Sequence, residues 1–212
     1  MNIIVYTAVI GPDVDRLKPV VVSRPNVQFL CFTDQPGFTV DGWTMMGVVP
    51  ENVRLHGPIH CARACKIAMP LFGADVMIWH DSAYQLSVDP NCLAKQAETV
   101  HALRHPWRSS PRDEGREIVR LKLAPADKVE AQVASWGEWE PGTLTSTGLL
   151  VRKNTEAVRR FNETWWELFQ AGGHTRDQMS VDRASYVSGV PIQYLDGHYR
   201  DNPYAIWEGH RR

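Results

Sequence analysis

Apolar residues in this chain fall into short unbroken runs, bounded by turn residues and alternating with longer stretches of helical spacing. Residues 3–10 (Ile-Ile-Val-Tyr-Thr-Ala-Val-Ile) predict a first strand, closed by the turn signal Gly11-Pro12-Asp13. A second strand is predicted at 27–33, ending at Asp34 with the breakers Pro36 and Gly37, and a third from Trp43 to Val49. Between the first two, Arg16 to Ser23 is short, and helical only if Pro19 lies near its start. Pro50 to Pro58 reads as a loop. A helix follows at 60–72, where Cys61, Ala64, Cys65, Ala68, Met69 and Phe72 form one apolar stripe. Arg63 and Lys66 lie three apart on another face, so their cations point the same way, and Pro70 must kink or end this helix.

Val76 to Trp79 is apolar without alternation, as expected of a strand buried on both faces of a mainly parallel sheet, and it stops abruptly at His80-Asp81. Ligands of open α/β sheets bind outside the carboxyl ends of the strands. Asp81 is therefore sited to hold a metal or a substrate hydroxyl; equally, Asp before Ser82 is ordinary turn chemistry. Beyond it, helices are predicted at 90–99, 113–123, 125–136, 155–171 and 177–187. Extended pieces are predicted at 101–106, 142–151 and 192–195. Gly148, inside one of these, suggests a bulge or a ligand close to the backbone. The polar tail 196–201 should fold back, since Tyr204, Ile206 and Trp207 need burial. No repeat or linker splits the chain, so residues 1–212 read as one domain, an α/β sandwich with helices on both faces of the sheet.

Composition narrows the function classes. A net charge of −1 supplies no field favouring nucleic acid or an anionic membrane. No apolar run approaches the ~20 residues needed to span a bilayer, and the opening Met1-Asn2-Ile3-Ile4 lacks the basic start of a secretory signal. Four cysteines at irregular spacing are too few for a disulfide framework, which points to a cytoplasmic protein. No Gly-rich phosphate loop of the Walker or dinucleotide type appears, so NTPase and dehydrogenase readings fall away. His56, His60, Cys61 and Cys65 suggest zinc only superficially, because both cysteines lie on the apolar stripe. The eight tryptophans are more unusual; several stand beside polar residues, where such rings can form stacking walls. Arg108, Arg112, Arg116 and Arg120 read as a solvated helix face that could contact an anionic acceptor, and His105 with Trp107 could line an acceptor cleft.

Several short motifs recur in order: Tyr6-Thr7-Ala8, Phe29 to Asp34, Ala62-Arg63 with Lys66 and Pro70, Ile78-Trp79-His80-Asp81, and His105-Pro106. Gly148 ahead of Val151-Arg152, Phe161 before Trp165-Trp166, and Arg176-Asp177-Gln178-Met179-Ser180 complete the series. Together they resemble the glycosyltransferase-like family that includes the plant mucilage-related and turgor-regulation-defect proteins and short bacterial and phage members. The resemblance implies a GT-A-type fold, a Rossmann-like α/β/α sandwich with a mainly parallel central sheet. It also implies transfer of a sugar from a nucleoside diphosphate donor, with a UDP-sugar favoured, to an unidentified acceptor.

Such a reaction must neutralise the charge growing on the departing diphosphate, by a divalent cation, by Arg/Lys, or both. The resemblance assigns a divalent metal (Mn²⁺ or Mg²⁺) to Asp81 and His198, although Ala83 stands where a second carboxylate is usual. It makes Arg63 and Lys66 a diphosphate clamp and sets Tyr6, Thr7, Ala8 and Asp34 by the base and ribose. His80, Ser82, Gly148 and Arg176 join them on the donor side. Asp177, assisted by Gln178, is placed against the donor sugar, where it binds hydroxyls or takes the acceptor's proton; as a helix-start residue it has a plain structural role too. Two rivals share these residues: a metal-dependent hydrolase, since a plant family member has been linked to ceramide hydrolysis, and a non-catalytic nucleotide-sugar-binding module.

Overall fold

The computed structural model describes residues 1–11, 17–69 and 73–207. The expected turn at Pro12-Asp13, the start of the segment at Arg16, and the positions of Pro70 and Phe72 lie outside the described residues. In chain order the elements are β1 (Ile3–Val9), β2 (Val27–Thr33), β3 (Thr44–Gly47), α1 (Pro50–His56), α2 (Pro58–Ile67), β4 (Val76–His80), β5 (Tyr84–Leu86) and α3 (Pro90–Gln96). They continue as β6 (Val100–Arg104), α4 (Pro111–Arg120), α5 (Ala126–Ala134), β7 (Thr145–Lys153), α6 (Glu156–Ala171), α7 (Gln178–Ser188), β8 (Ile192–His198) and β9 (Ala205–Trp207).

Seven strands form one sheet in the order β3-β2-β1-β4-β7-β6-β8. Neighbours are parallel except where β7 runs antiparallel to both β4 and β6. The sheet carries helices on both faces, a Rossmann-like α/β/α sandwich. The unalternating runs explain the centre: all seven residues of β1 and all five of β4 are buried, because both faces are covered. On one face Ile4, Tyr6, Met77 and Trp79 pack under Phe161, Trp165 and Phe169 of α6 and Val181 and Ala184 of α7. On the other, Val5, Ile78, Leu149 and Val151 pack against Leu93 and Ala94 of α3 and the returning tail at Tyr204 and Ala205. Truncating a buried Phe or Trp such as Phe161 or Trp165 typically costs 3–5 kcal/mol, so α6 is a principal anchor of the first layer.

Several boundaries differ from expectation for identifiable reasons. Residues 50–56 are a helix, not a loop; Glu51 sits in its first turn, Arg54 and His56 in its last, and Gly57 (φ 82°) separates it from α2. With little apolar periodicity, α1 left no stripe to read. The helix after it ends at Ile67, before Pro70, which leaves Ala68 and Met69 exposed rather than on the buried stripe. Residues 17–23 carry no helix. The final strand extends to His198, and the tail then adds β9 against β5 in a separate two-stranded sheet. That pairing buries Tyr204, but Ile206 stays 56% exposed, against expectation.

Candidate functional site

Strand order reverses at β1, whose neighbours β2 and β4 lie on opposite sides, so a crevice is expected beyond the carboxyl ends of β1 and β4. Asp81 is the first residue past β4. Helix α2 ends about level with mid-β1, where the Tyr6 hydroxyl donates to the Lys66 carbonyl (3.0 Å). Helical side chains lean toward the N-terminus, which carries the Lys66 ammonium back up to the carboxyl edge. There it lies 3.1 Å from Asp81 Oδ1 and 3.0 Å from Asp177 Oδ2, at the start of α7. Arg63 Nε stands 2.9 Å from Asp177 Oδ1, a close ion pair not aligned as a hydrogen bond, and Arg63 lies 4.0 Å from Asp81. Thr147 of β7 donates to Asp177 Oδ2 (3.0 Å), and the Trp79 indole donates to Asp81 Oδ1 (2.9 Å).

Two cations thus balance two carboxylates. Their exposures decide what each can do: Lys66 is fully buried and Asp177 5% exposed, against 20% for Arg63 and 35% for Asp81. Burial by itself would raise the Asp177 pKa, but Arg63, Lys66 and the hydrogen bonds from Lys66 and Thr147 hold it well below the usual carboxylate range. Burial likewise works against the Arg63 cation; Asp177 and Asp81 outweigh it and raise its pKa. At Asp81, Trp79 and Lys66 converge on Oδ1, and Oδ2 has no hydrogen-bond partner among the described residues. That oxygen is a half-exposed acceptor at the carboxyl edge of the sheet.

These placements revise several expected roles. Lys66 cannot touch a diphosphate, since its ammonium is enclosed by Asp81, Asp177, Thr147 and the Trp79 ring. Asp177 stands at the N-cap position of α7 without a side-chain capping hydrogen bond, and its low pKa and two cations make it a poor proton acceptor; it orients Arg63 and Lys66. Gln178 donates to the Thr145 carbonyl (2.8 Å) and ties α7 to β7. Tyr6 is buried against Trp79, with rings 5.2 Å apart, and faces α2 rather than a base. Thr7 is buried with Oγ1 unpartnered, and Ala8 packs in the core. Asp34 accepts from Gly11 N and Gln35 Nε2 (both 2.9 Å), the turn role. Arg176 turns away to Glu114, 3.7 Å off. His80 is buried, its Nδ1 3.1 Å from the Asp81 carbonyl, and burial lowers its pKa; it lines a small cleft of about 20 Å³ with Lys18, Trp43 and Tyr84. Ser82 is half-buried in the turn after Asp81.

Gly148 does mark an irregularity: β6 steps from Ala102 to Leu103 while its β7 partners jump from Leu150 to Ser146. What approaches its backbone is the Tyr84 ring, which a Cβ would meet at 2.8 Å. The Tyr84 hydroxyl then donates to the Tyr199 carbonyl (2.9 Å). Asp81 and His198 emerge at the same edge, but their strands are separated by β7 and β6, roughly 14 Å at ordinary strand spacing. No contact joins them, and Asp81 Oδ1 already holds an ammonium. Asp81 and His198 as placed do not fit a shared divalent ion, because the pair is not convergent and the charge on Asp81 is already balanced.

Three contributors escaped the sequence reading. Thr147 and Trp79 looked like strand core, and nothing in their spacing marks a hydrogen-bond role. Arg152, in β7, is buried with no carboxylate partner; it donates to the Lys66 carbonyl (2.6 Å), to Asn162 (2.7 Å) and to Tyr6, fixing the end of α2. Arg108, Arg112, Arg116 and Arg120 are each neutralised by a neighbouring Asp or Glu, so no free basic stripe remains. No helix among the described residues is long and apolar enough to cross a membrane. No protein-family model matches the chain, and no curated protein matches it significantly.

Proposed function

We propose that this protein is a glycosyltransferase that moves a sugar from a nucleoside diphosphate donor, a UDP-sugar by preference, to a hydroxyl acceptor. The observation that carries the reading is the Arg63–Lys66–Asp81–Asp177 cluster at the switch point of the sheet, together with the resemblance of the motifs that supply it. Arg63 is the partly exposed cation, held in position by Asp177, and it takes the charge that grows on the departing diphosphate. Asp81 Oδ2 accepts from a hydroxyl of the donor sugar, while Lys66, 3.1 Å from Oδ1, holds the carboxylate in place. Arg63 supplies the charge compensation in this reading.

A second reading has one observation in its favour. Asp177, the expected proton acceptor, is occupied by two cations, which suits a module that binds a nucleotide sugar without turning it over. Incubation with UDP-, GDP- and ADP-sugars, followed by assay of free nucleotide, separates the two. Nucleotide release from one donor, abolished in Asp81→Asn, supports the transferase. Donor binding without release across a broad acceptor panel supports the module. No binding of any nucleotide sugar refutes both.

A further inference from the structure

A second constellation stands at the same edge of the sheet, beyond the ends of β6 and β8. Tyr199 lies at its centre: Trp107 (5.7 Å, 87°) and Trp207 (5.8 Å, 90°) meet it edge-on, and His105 lies 5.5 Å away. The Arg200 guanidinium rests over three of these rings, 4.6 Å from Trp107, 4.8 Å from Trp207 and 5.4 Å from Tyr199. Arg200 is exposed and, among the described residues, its side chain makes no hydrogen bond or ion pair; only its backbone N–H is engaged, by His198 Nδ1 (3.2 Å). The three rings fix the position of the guanidinium, and its N–H groups have no partner among the described residues. Trp107 is 61% exposed, an unusual position for an indole already in a cluster.

A second arginine stands nearby. Arg104, whose guanidinium lies over Tyr194 (4.5 Å), pairs through its backbone with His198. The His105 imidazole is pushed down to about 4 by burial first, then by Arg108, Arg200 and His198. A preoriented, unpaired guanidinium suits a planar anion, and an exposed indole beside it suits the apolar face of a pyranose ring. The platform joins the charge cluster physically: Tyr84 packs over Gly148, whose carbonyl accepts from Asp81 N (2.8 Å), and its hydroxyl holds the Tyr199 carbonyl.

We propose that Trp107 and Arg200 bind an anionic sugar, its ring stacked on the exposed indole and its carboxylate or phosphate on the guanidinium edge. That this sugar is the acceptor rests on the transferase reading; that it binds rests on the platform alone. The test is a calorimetric titration, without nucleotide, of tri-galacturonate against its methyl ester, and of glucose 6-phosphate against glucose and inorganic phosphate. A charge-assisted hydrogen bond to the anion predicts about tenfold tighter binding of the acids than of their neutral counterparts. Arg200→Gln should remove that preference, and Trp107→Ala should weaken acid and ester alike, with melting temperatures unchanged in both. Equal affinity for acid and ester, a preference surviving Arg200→Gln, or no binding of either acid overturns the proposal. So do inorganic phosphate binding as well as glucose 6-phosphate, and a single-stranded oligonucleotide outcompeting both sugars. A protein that binds the acids but turns over no nucleotide sugar loses the transferase reading and keeps the platform; the converse result rejects the platform only.

Discussion

Asp177→Asn is the sharpest perturbation of the charge cluster. The carboxylate it removes is 5% exposed and neutralises Arg63 at 2.9 Å and Lys66 at 3.0 Å, so solvent screening is slight. Breaking a buried pair by removing one partner costs about 3–5 kcal/mol, because the other charge is left uncompensated. Asn still accepts from Thr147, which argues for the low end, about 3 kcal/mol. For a chain of this length that corresponds to a melting temperature lower by roughly 6–12 °C. The Lys66→Met/Asp177→Asn double variant should lose less than the sum of its singles, by about 1–3 kcal/mol. The pH dependence adds an independent arm. Because the folded Asp177 pKa lies below its unfolded value near 3.9, its contribution is present above about pH 4 and is lost as pH falls through the folded value. Urea unfolding across pH 2–7 should therefore show a flatter acid limb in the variant. A loss under about 1 kcal/mol, with additive singles and an unchanged acid limb, would refute the buried-cluster account.

Three further outcomes follow from the same geometry. Burial outweighs the hydrogen bonds from Thr145 and pushes Asp182 up to about 6, above its unfolded value, so stability should fall as pH climbs from about 4 to 6 and then level off. Asp182→Asn should flatten that window in pH-dependent unfolding, and an unaltered slope would assign it elsewhere. Gly148→Ala drives a Cβ to 2.8 Å from the Tyr84 ring and should cost about 1–3 kcal/mol, partly relieved by Tyr84→Ala; a neutral effect would mean the ring yields freely. Since Asp81 Oδ1 already holds Lys66 and His198 lies strands away, Mn²⁺ or a chelator should leave the melting temperature unchanged. A metal-induced rise lost in both Asp81→Asn and His198→Ala would restore the shared metal site.

Legibility in the sequence followed how local each cause was. The central strands were readable because burial on both faces leaves an unbroken apolar run, and α6 because Val158, Phe161 and Trp165 repeat at helical spacing and Thr155 caps its start. Helix α1 was unreadable since it buries no stripe, and β5 and β9 because three-residue strands carry no pattern. In the site, Asp81 was visible as a carboxylate ending a buried run, and Arg63 and Lys66 as cations on one side of a helix. That Lys66 is enclosed was not visible: it depends on where α2 ends relative to β1, which Tyr6 and Arg152 set from distant positions. Thr147 joins the cluster only because β7 enters the sheet beside β4, a long-range pairing that neither residue type nor spacing announces.

The central claim is that Arg63, oriented by Asp177 at the mouth of the crevice, receives a diphosphate. Calorimetric titration of UDP and uridine into the wild-type protein and Arg63→Met tests it most directly. The account predicts that UDP binding weakens about tenfold or more in the variant, as expected for a lost charge-assisted hydrogen bond, while uridine binding is unchanged. Equal losses for both ligands, or UDP affinity indifferent to Arg63, would contradict it.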